Sequence, residues 1–167
     1  MPFDAKLQVQ RDNCHKWKLL APAIYRAALP VPGGVSSVEF TIPKGFVTDW
    51  ASVPRLLQSF IPRTGQWDEA AALHDLFCEA LNKGAPIVDS RTADKLFEKV
   101  MKEAGVGVVR RKLMWAGVRF GALANKHRRK GWLKDAPAVL AISGAAGSLA
   151  VGAITGTSWT VAQVLGF

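Results

Sequence analysis

Cysteine is nearly missing: the 167 residues hold only Cys14 and Cys78, far apart and in no ligand motif. That excludes a disulfide scaffold and a Cys-based zinc site. The two read as free thiols, with one disulfide as the alternative. The start, Met1-Pro2-Phe3-Asp4-Ala5-Lys6, lacks the apolar run of a secretory leader, so synthesis in a cytoplasm is expected. HExxH, a Gly-rich phosphate loop and GxSxG do not occur, which removes the commonest routes to a functional assignment by motif.

Two further absences are local. No acid occurs between Gly105 and Lys134, where nine cations stand: Arg110, Arg111, Lys112, Arg119, Lys126, Arg128, Arg129, Lys130 and Lys134. The other 13 Lys and Arg equal the 13 Asp and Glu, so the net charge of +9 lies in this one stretch. Such a block suits DNA or an anionic lipid surface, against the plainer reading of a solvated helix face. No charge at all occurs from Ala136 to Phe167. Within that run Gly144, Ser148, Gly152 and Gly156 recur at every fourth position, which lines one side of a helix with small residues. This is the close-approach geometry of paired membrane helices. The run also exceeds the roughly 20 residues a spanning helix needs. A spanning orientation would keep the N-terminal domain cytoplasmic under the positive-inside rule. The alternative is a hairpin of two short helices folded onto the domain.

What is present ahead of these stretches reads as an α+β domain. Leu7-Gln8-Val9-Gln10 and Val38-Glu39-Phe40-Thr41-Ile42 alternate apolar and polar residues, with a turn at Pro30-Val31-Pro32-Gly33-Gly34. They predict a small antiparallel N-terminal sheet of three or four strands. Three helices are expected to pack on it. The first runs from Gln66 to Leu81 and stops at Lys83-Gly84; the second runs from Asp89 or Ser90 to Gly105; the third runs from about Val108 to Lys130. Asp49 is placed to cap a short helix with Pro54 in its first turn. The organisation is then a domain over 1–123, a basic linker or helix end over 124–135, and a hydrophobic helical tail over 136–167.

The polar residues that could carry chemistry are Asp49, Ser52, Arg55, His74, Asp75, Arg91 and Asp94. Asp49, His74, Asp75 and Asp94 are the catalytic candidates. Asp49, His74 and Asp94 are the candidate ligands of a divalent metal, the one cofactor this set suits. His74 and Asp75 are adjacent on a helix and point about 100° apart, so one metal would not take both. Asp49 as a cap, His74 bonded to a carbonyl and Arg91 paired with Asp94 at i, i+3 make the competing structural reading. The spacing favours that reading: a polar network locking the helices to the sheet rather than an enzyme's site.

Several segments together resemble one family. Gly45-Phe46-Val47-Thr48-Asp49-Trp50-Ala51-Ser52-Val53-Pro54-Arg55 is similar to the GF.TD.ASVPR core of the phage and prophage proteins of domain-of-unknown-function family 1353. Ala70-Ala71-Ala72-Leu73-His74-Asp75 resembles the family's AA.LHD helix, and Arg91-Thr92-Ala93-Asp94-Lys95-Leu96-Phe97 its R..AD..F helix. Lys112 to Gly121 resembles its closing MY.AVR.FG helix, and Trp17 to Tyr25 its opening strand. Trp50 and Trp115 replace the more usual Phe or Tyr. The resemblance spans about residues 5–123 and implies a phage origin; it says nothing of the basic stretch and the tail. The expectation is a virion structural protein of the tail or DNA-ejection apparatus, located in the virion or, during infection, at the host membrane. It would contact other virion proteins and copies of itself. A metal-dependent cell-wall hydrolase and a host-membrane effector are the alternatives.

Overall fold

The computed structural model describes residues 3–12, 16–31, 33–50, 62 and 64–145. The fold is α+β. Its strands are β1 (Val9–Arg11), β2 (Trp17–Leu19), β3 (Ala23–Val31), β4 (Gly34–Ile42) and β5 (Val47–Thr48). Its helices are α1 (Asp68–Asn82), α2 (Ser90–Glu103) and α3 (Val108–Gly121). Short 3-10 turns at Ala122–Ala124 and Trp132–Lys134 lead into a helix whose described part is 136–145.

The strands form two sheets rather than one. β1, β2 and β5 make an antiparallel sheet with β2 in the middle; β3 and β4 make a long hairpin with nine paired positions, from Ala23 opposite Ile42 to Val31 opposite Gly34. Period-two alternation along β3 and β4 sends Ala23, Tyr25, Ala27, Phe40 and Ile42 inward. Arg26 and Glu39 face each other on the outer side, where Arg26 also pairs with Asp4 at 2.6 Å. The sequence suggested a single sheet because a backbone bend at Leu20-Ala21 splits the segment from Trp17 to Tyr25. No apolar pattern records that bend.

The hairpin packs on α1 through rings. Tyr25 stacks on Phe40 at 6.5 Å, and Phe40 meets Phe77 edge to face at 5.1 Å. The Tyr25 hydroxyl donates to Glu103 at the end of α2, and Lys99 Nζ donates to the Ala28 carbonyl, so the hairpin is also tied to α2. α2 packs between α1 and α3. Asp89 caps α2, accepting from the backbone of Arg91 and Thr92 at 2.9 and 3.1 Å. Gly84 and Gly105 take positive φ after α1 and α2, as their C-terminal positions require.

The third helix is shorter than its apolar spacing suggests. It ends at Gly121, not near Lys130, so the cationic run Lys126 to Lys130 does not stand on its C-terminal turn. From there the chain folds back on itself. Asn125 is extended, and its side chain accepts from the His127 backbone at 2.9 Å while its amide donates to Asn82 at the end of α1. The expected helix cap at Asp49 and Pro54 concerns residues 51–61, which lie outside the described residues, as do Ser52, Arg55, Cys14 and His15. Of the small-residue ladder only Gly144 is described; it is exposed, and a Cβ there would meet open space. Ser148, Gly152 and Gly156 lie outside the described residues. Among the described residues no helix is long and apolar enough to cross a membrane.

Candidate functional site

The candidate residues converge where α1, α2, α3 and the folded-back segment meet. Asp94 sits on the inner face of α2 and is completely buried. Its carboxylate takes His74 Nε2 from α1 at 2.6 Å and Arg128 Nη2 from the segment after α3 at 2.7 Å on one oxygen. The other oxygen takes Arg119 Nη1 from α3 at 2.8 Å. Arg119 has 0 % exposure and also reaches Asp135 at 3.2 Å. Asp135 in turn pairs with Arg91 at 2.6 Å. The i, i+3 pair expected within α2 is therefore absent: Arg91 turns to Asp135 and Asp94 to three other partners.

A charge buried at this depth costs several kcal/mol unless oppositely charged groups surround it. Asp94 meets that condition with two guanidiniums and an imidazole. Burial alone would raise its pKa, but the His74 bond and the fields of His74 and Arg128, with the Arg119 bond, outweigh that and hold it below the ordinary value. Burial likewise opposes a charge on His74, and Arg128 lies 3.4 Å from the same ring nitrogen. The Asp94 bond prevails, with help from the Cys78 sulfur 3.7 Å away, and the His74 pKa is pushed up to about 10. His74 is thus held as an ion-pair partner at neutral pH, not as a free base.

Asp75 behaves in the opposite way. One position on from His74, it points away toward β5, where Thr48 Oγ1 donates to it at 2.5 Å. Thr48 also accepts from the Trp50 backbone at 3.0 Å. Burial is the largest influence on Asp75 and raises its pKa; Thr48, His74 and Arg128 pull it down, and the charge of Asp49 adds to the rise, leaving it at about 7. Asp49 and His74 are accordingly close enough to act on Asp75, and the charges of His74 and Arg128 act on both Asp75 and Asp94. Trp50 completes this corner in a left-handed backbone conformation, φ 60°, which a bulky side chain adopts only under constraint. Its buried indole N–H has no hydrogen-bond partner among the described residues.

Among the described residues no group of three or more His, Cys, Asp and Glu is disposed to hold a metal ion. A divalent cation at Asp94 would have to displace His74 or one of the arginines. The nine-cation stretch is also divided. Arg119 and Arg128 are taken up by Asp94; Arg111 and Lys112 lie 3.5 and 2.7 Å from Glu98. Arg110 is exposed and stands over the Trp67 ring at 5.2 Å, and Lys126, Arg129, Lys130 and Lys134 are exposed.

Sequence reasoning missed the parts of Thr48, Cys78, Trp132 and Asp135, and placed Arg119 and Arg128 in a surface block. One signal was available: Asp135 is the first acid after the acid-free stretch, and an isolated acid beside nine cations invites pairing. Trp132 Nε1 donates to the Arg119 carbonyl at 2.7 Å, a contact that no spacing rule announces.

The family model described as protein of unknown function (DUF1353) matches residues 17–118. The chain belongs to this family. No curated protein and no solved structure matches it. The DUF1353 match takes in His74, Asp75, Arg91 and Asp94 and stops just short of Arg119. Arg119, Arg128 and Asp135, from beyond the match, complete the ion cluster.

Two consequences can be measured. Replacing Asp94 with Ala strands Arg119 and His74 in the interior; a loss of about 3–5 kcal/mol is expected, seen as a drop in Tm of roughly 10 °C. Arg26→Ala, on the exposed face of the hairpin where solvent screens its ion pairs, should leave Tm close to that of the parent. The second concerns pH. Between its ordinary value of 3.8 and about 7, Asp75 keeps a proton in the folded state that the unfolded chain releases. Its contribution is therefore fully present below 3.8 and is lost as pH rises through about 7. Asp75→Asn should flatten the stability profile across that window by on the order of 4 kcal/mol in urea titrations. The His74 contribution persists to much higher pH, being lost only as pH rises through about 10.

Proposed function

We propose that the chain is a structural component of a phage virion, built into the tail or the DNA-ejection apparatus. Its DUF1353 domain docks on other virion proteins, and its C-terminal helix associates with copies of itself or enters the host membrane. The observation that carries this reading is the closed ion cluster. His74 and Asp94, which stand in the motifs that resemble phage proteins, are spent on each other and on Arg119 and Arg128. A group committed in this way fastens elements together; it does not turn over a substrate. The cluster also fastens the basic segment, through Arg128 and Asp135, to the domain. The charge-free run beginning at Ala136 therefore leaves the domain from an anchored base rather than from a loose linker. Quantitative mass spectrometry of purified particles should find the chain at a constant copy number; particles that infect normally without it would refute the assignment.

A second reading, a metal-dependent hydrolase, draws support from one observation: Asp75, with a pKa of about 7, lies within the field of Asp49, His74 and Arg128. A carboxyl that titrates near neutrality suits proton transfer. If that reading holds, the full chain dialysed against zinc or manganese retains about one ion per chain and loses it on His74→Ala. A chain that emerges metal-free from both dialyses leaves the structural reading standing.

A further inference from the structure

We propose that the segment 122–135, together with the apolar side chains at its two ends, is a docking surface for an anionic lipid bilayer. The proposal concerns the surface of the domain and is independent of whether the chain is carried in a particle or whether the charge-free tail spans a membrane.

The segment is two-sided, and its inner side is fully committed. Ala122 is buried, Asn125 bonds Asn82, Arg128 bonds Asp94 and the Val118 carbonyl, Trp132 bonds the Arg119 carbonyl, and Asp135 holds Arg91 and Arg119. Anchors therefore recur every three or four residues. Between them the backbone closes tight turns, Arg128 N to Asn125 O at 3.0 Å and Lys134 N to Gly131 O at 3.2 Å among them. Residues lying between anchors are left to face outward. They include Leu123, Lys126, His127, Arg129, Lys130, Leu133 and Lys134, all exposed.

The outward set mixes two chemistries. Four cations stand there with no acid in the segment before Asp135, which is itself buried and paired. Glu79, near the end of α1 beside Asn82, is neutralised by Lys83. Among the cations stand large apolar side chains left open among the described residues: Leu133 is 83 % exposed and Leu123 40 %. Phe120 at the end of α3 and Leu140 in the following helix add 56 % and 59 % exposure at the two flanks.

Charge complementarity selects an anionic partner, and the apolar side chains select among anionic partners. A nucleic-acid backbone would satisfy the cations but would leave Leu133 and Phe120 against phosphate and water. An acidic protein surface would need a matching apolar pocket. A bilayer carrying anionic lipid offers both chemistries at once: headgroup charge for Lys126, Arg129, Lys130 and Lys134, and the acyl boundary a few ångströms deeper for the leucines and Phe120. Lysine and arginine suit that depth because their aliphatic stems lie along apolar surface while the charged ends stay in water. The rigid backing matters too. A segment already ordered by its inner anchors loses little conformational entropy on docking.

The test is vesicle co-sedimentation of the full chain. Vesicles of phosphatidylglycerol mixed with phosphatidylcholine are compared with vesicles of phosphatidylcholine alone. Binding should be confined to the anionic vesicles and should fall when salt is raised from about 0.1 M to about 1 M. Leu133→Ser should weaken partitioning by about tenfold. Removing Lys130 and Lys134 together as Lys130→Gln and Lys134→Gln should weaken it by about fivefold for each charge. All three side chains are exposed, so the fold is expected to survive, and circular dichroism checks this. Variants that partition like the parent would place binding in the tail and overturn the proposal. Equal binding to both kinds of vesicle would do the same. Duplex DNA that binds the full chain and strips it from anionic vesicles, with Leu133→Ser unaffected, would make nucleic acid the partner and also overturn it.

Discussion

A fully buried aspartate cannot stay ionised alone, and that requirement at Asp94 organises the helical half of the molecule. Burying an uncompensated carboxylate would cost several kcal/mol, a large share of the roughly 5–15 kcal/mol by which most domains are stable. Compensation has to come from more than one direction, because both oxygens need donors. His74 supplies it from α1, Arg119 from α3 and Arg128 from the segment beyond. Each of these contacts brings one more element against α2. Arg119 carries the same obligation in reverse: a guanidinium with no exposure needs a second carboxylate, and Asp135 provides it. The ion cluster therefore draws the chain from residue 119 to 135 back over the domain.

That return path explains two features together. α3 stops at Gly121 although its apolar spacing continues, because a straight helix would carry Arg128 and Trp132 away from Asp94 and the Arg119 carbonyl. The stretch that sequence shows as a uniform block of cations becomes a layer with two sides. Its inner cations are neutralised in the core, and its outer ones stand beside exposed leucines. The electrostatic character of the outer surface is thus the residue of what the interior has taken.

The β half is held by a different interaction. Tyr25, Phe40 and Phe77 form a chain of ring contacts from the hairpin to α1, and Thr48 carries a hydrogen bond from β5 to Asp75 on the same helix. α1 consequently presents one face to the rings, His74 to the ion cluster and Asp75 to the β5 corner. The two adjacent residues serve different halves because neighbouring positions on a helix diverge by about 100°. Asp75 and Asp94 end with pKa values shifted in opposite directions: at Asp75 burial outweighs the fields of His74 and Arg128, whereas at Asp94 the direct bonds from His74 and Arg119 join those fields and outweigh it.

Several features were legible without coordinates. Helical spacing and the Gly84 and Gly105 stops located α1 and α2 to within two or three residues, because amphipathic period and C-terminal glycine are local properties. Alternation located the 38–42 end of β4 for the same reason, although Pro30, Val31 and Gly34 of the expected turn belong to the paired strands, and the four motifs pointed to the DUF1353 family. The divergence of His74 from Asp75 was likewise readable from helix geometry alone. What tertiary structure alone decided is which charges pair. Arg91 chose Asp135 over Asp94, and Arg119 and Arg128 left the surface for the core. The physical reason is that a salt bridge depends on distance and burial in three dimensions. These partners lie 25 to 44 residues apart, beyond anything that periodicity or spacing encodes.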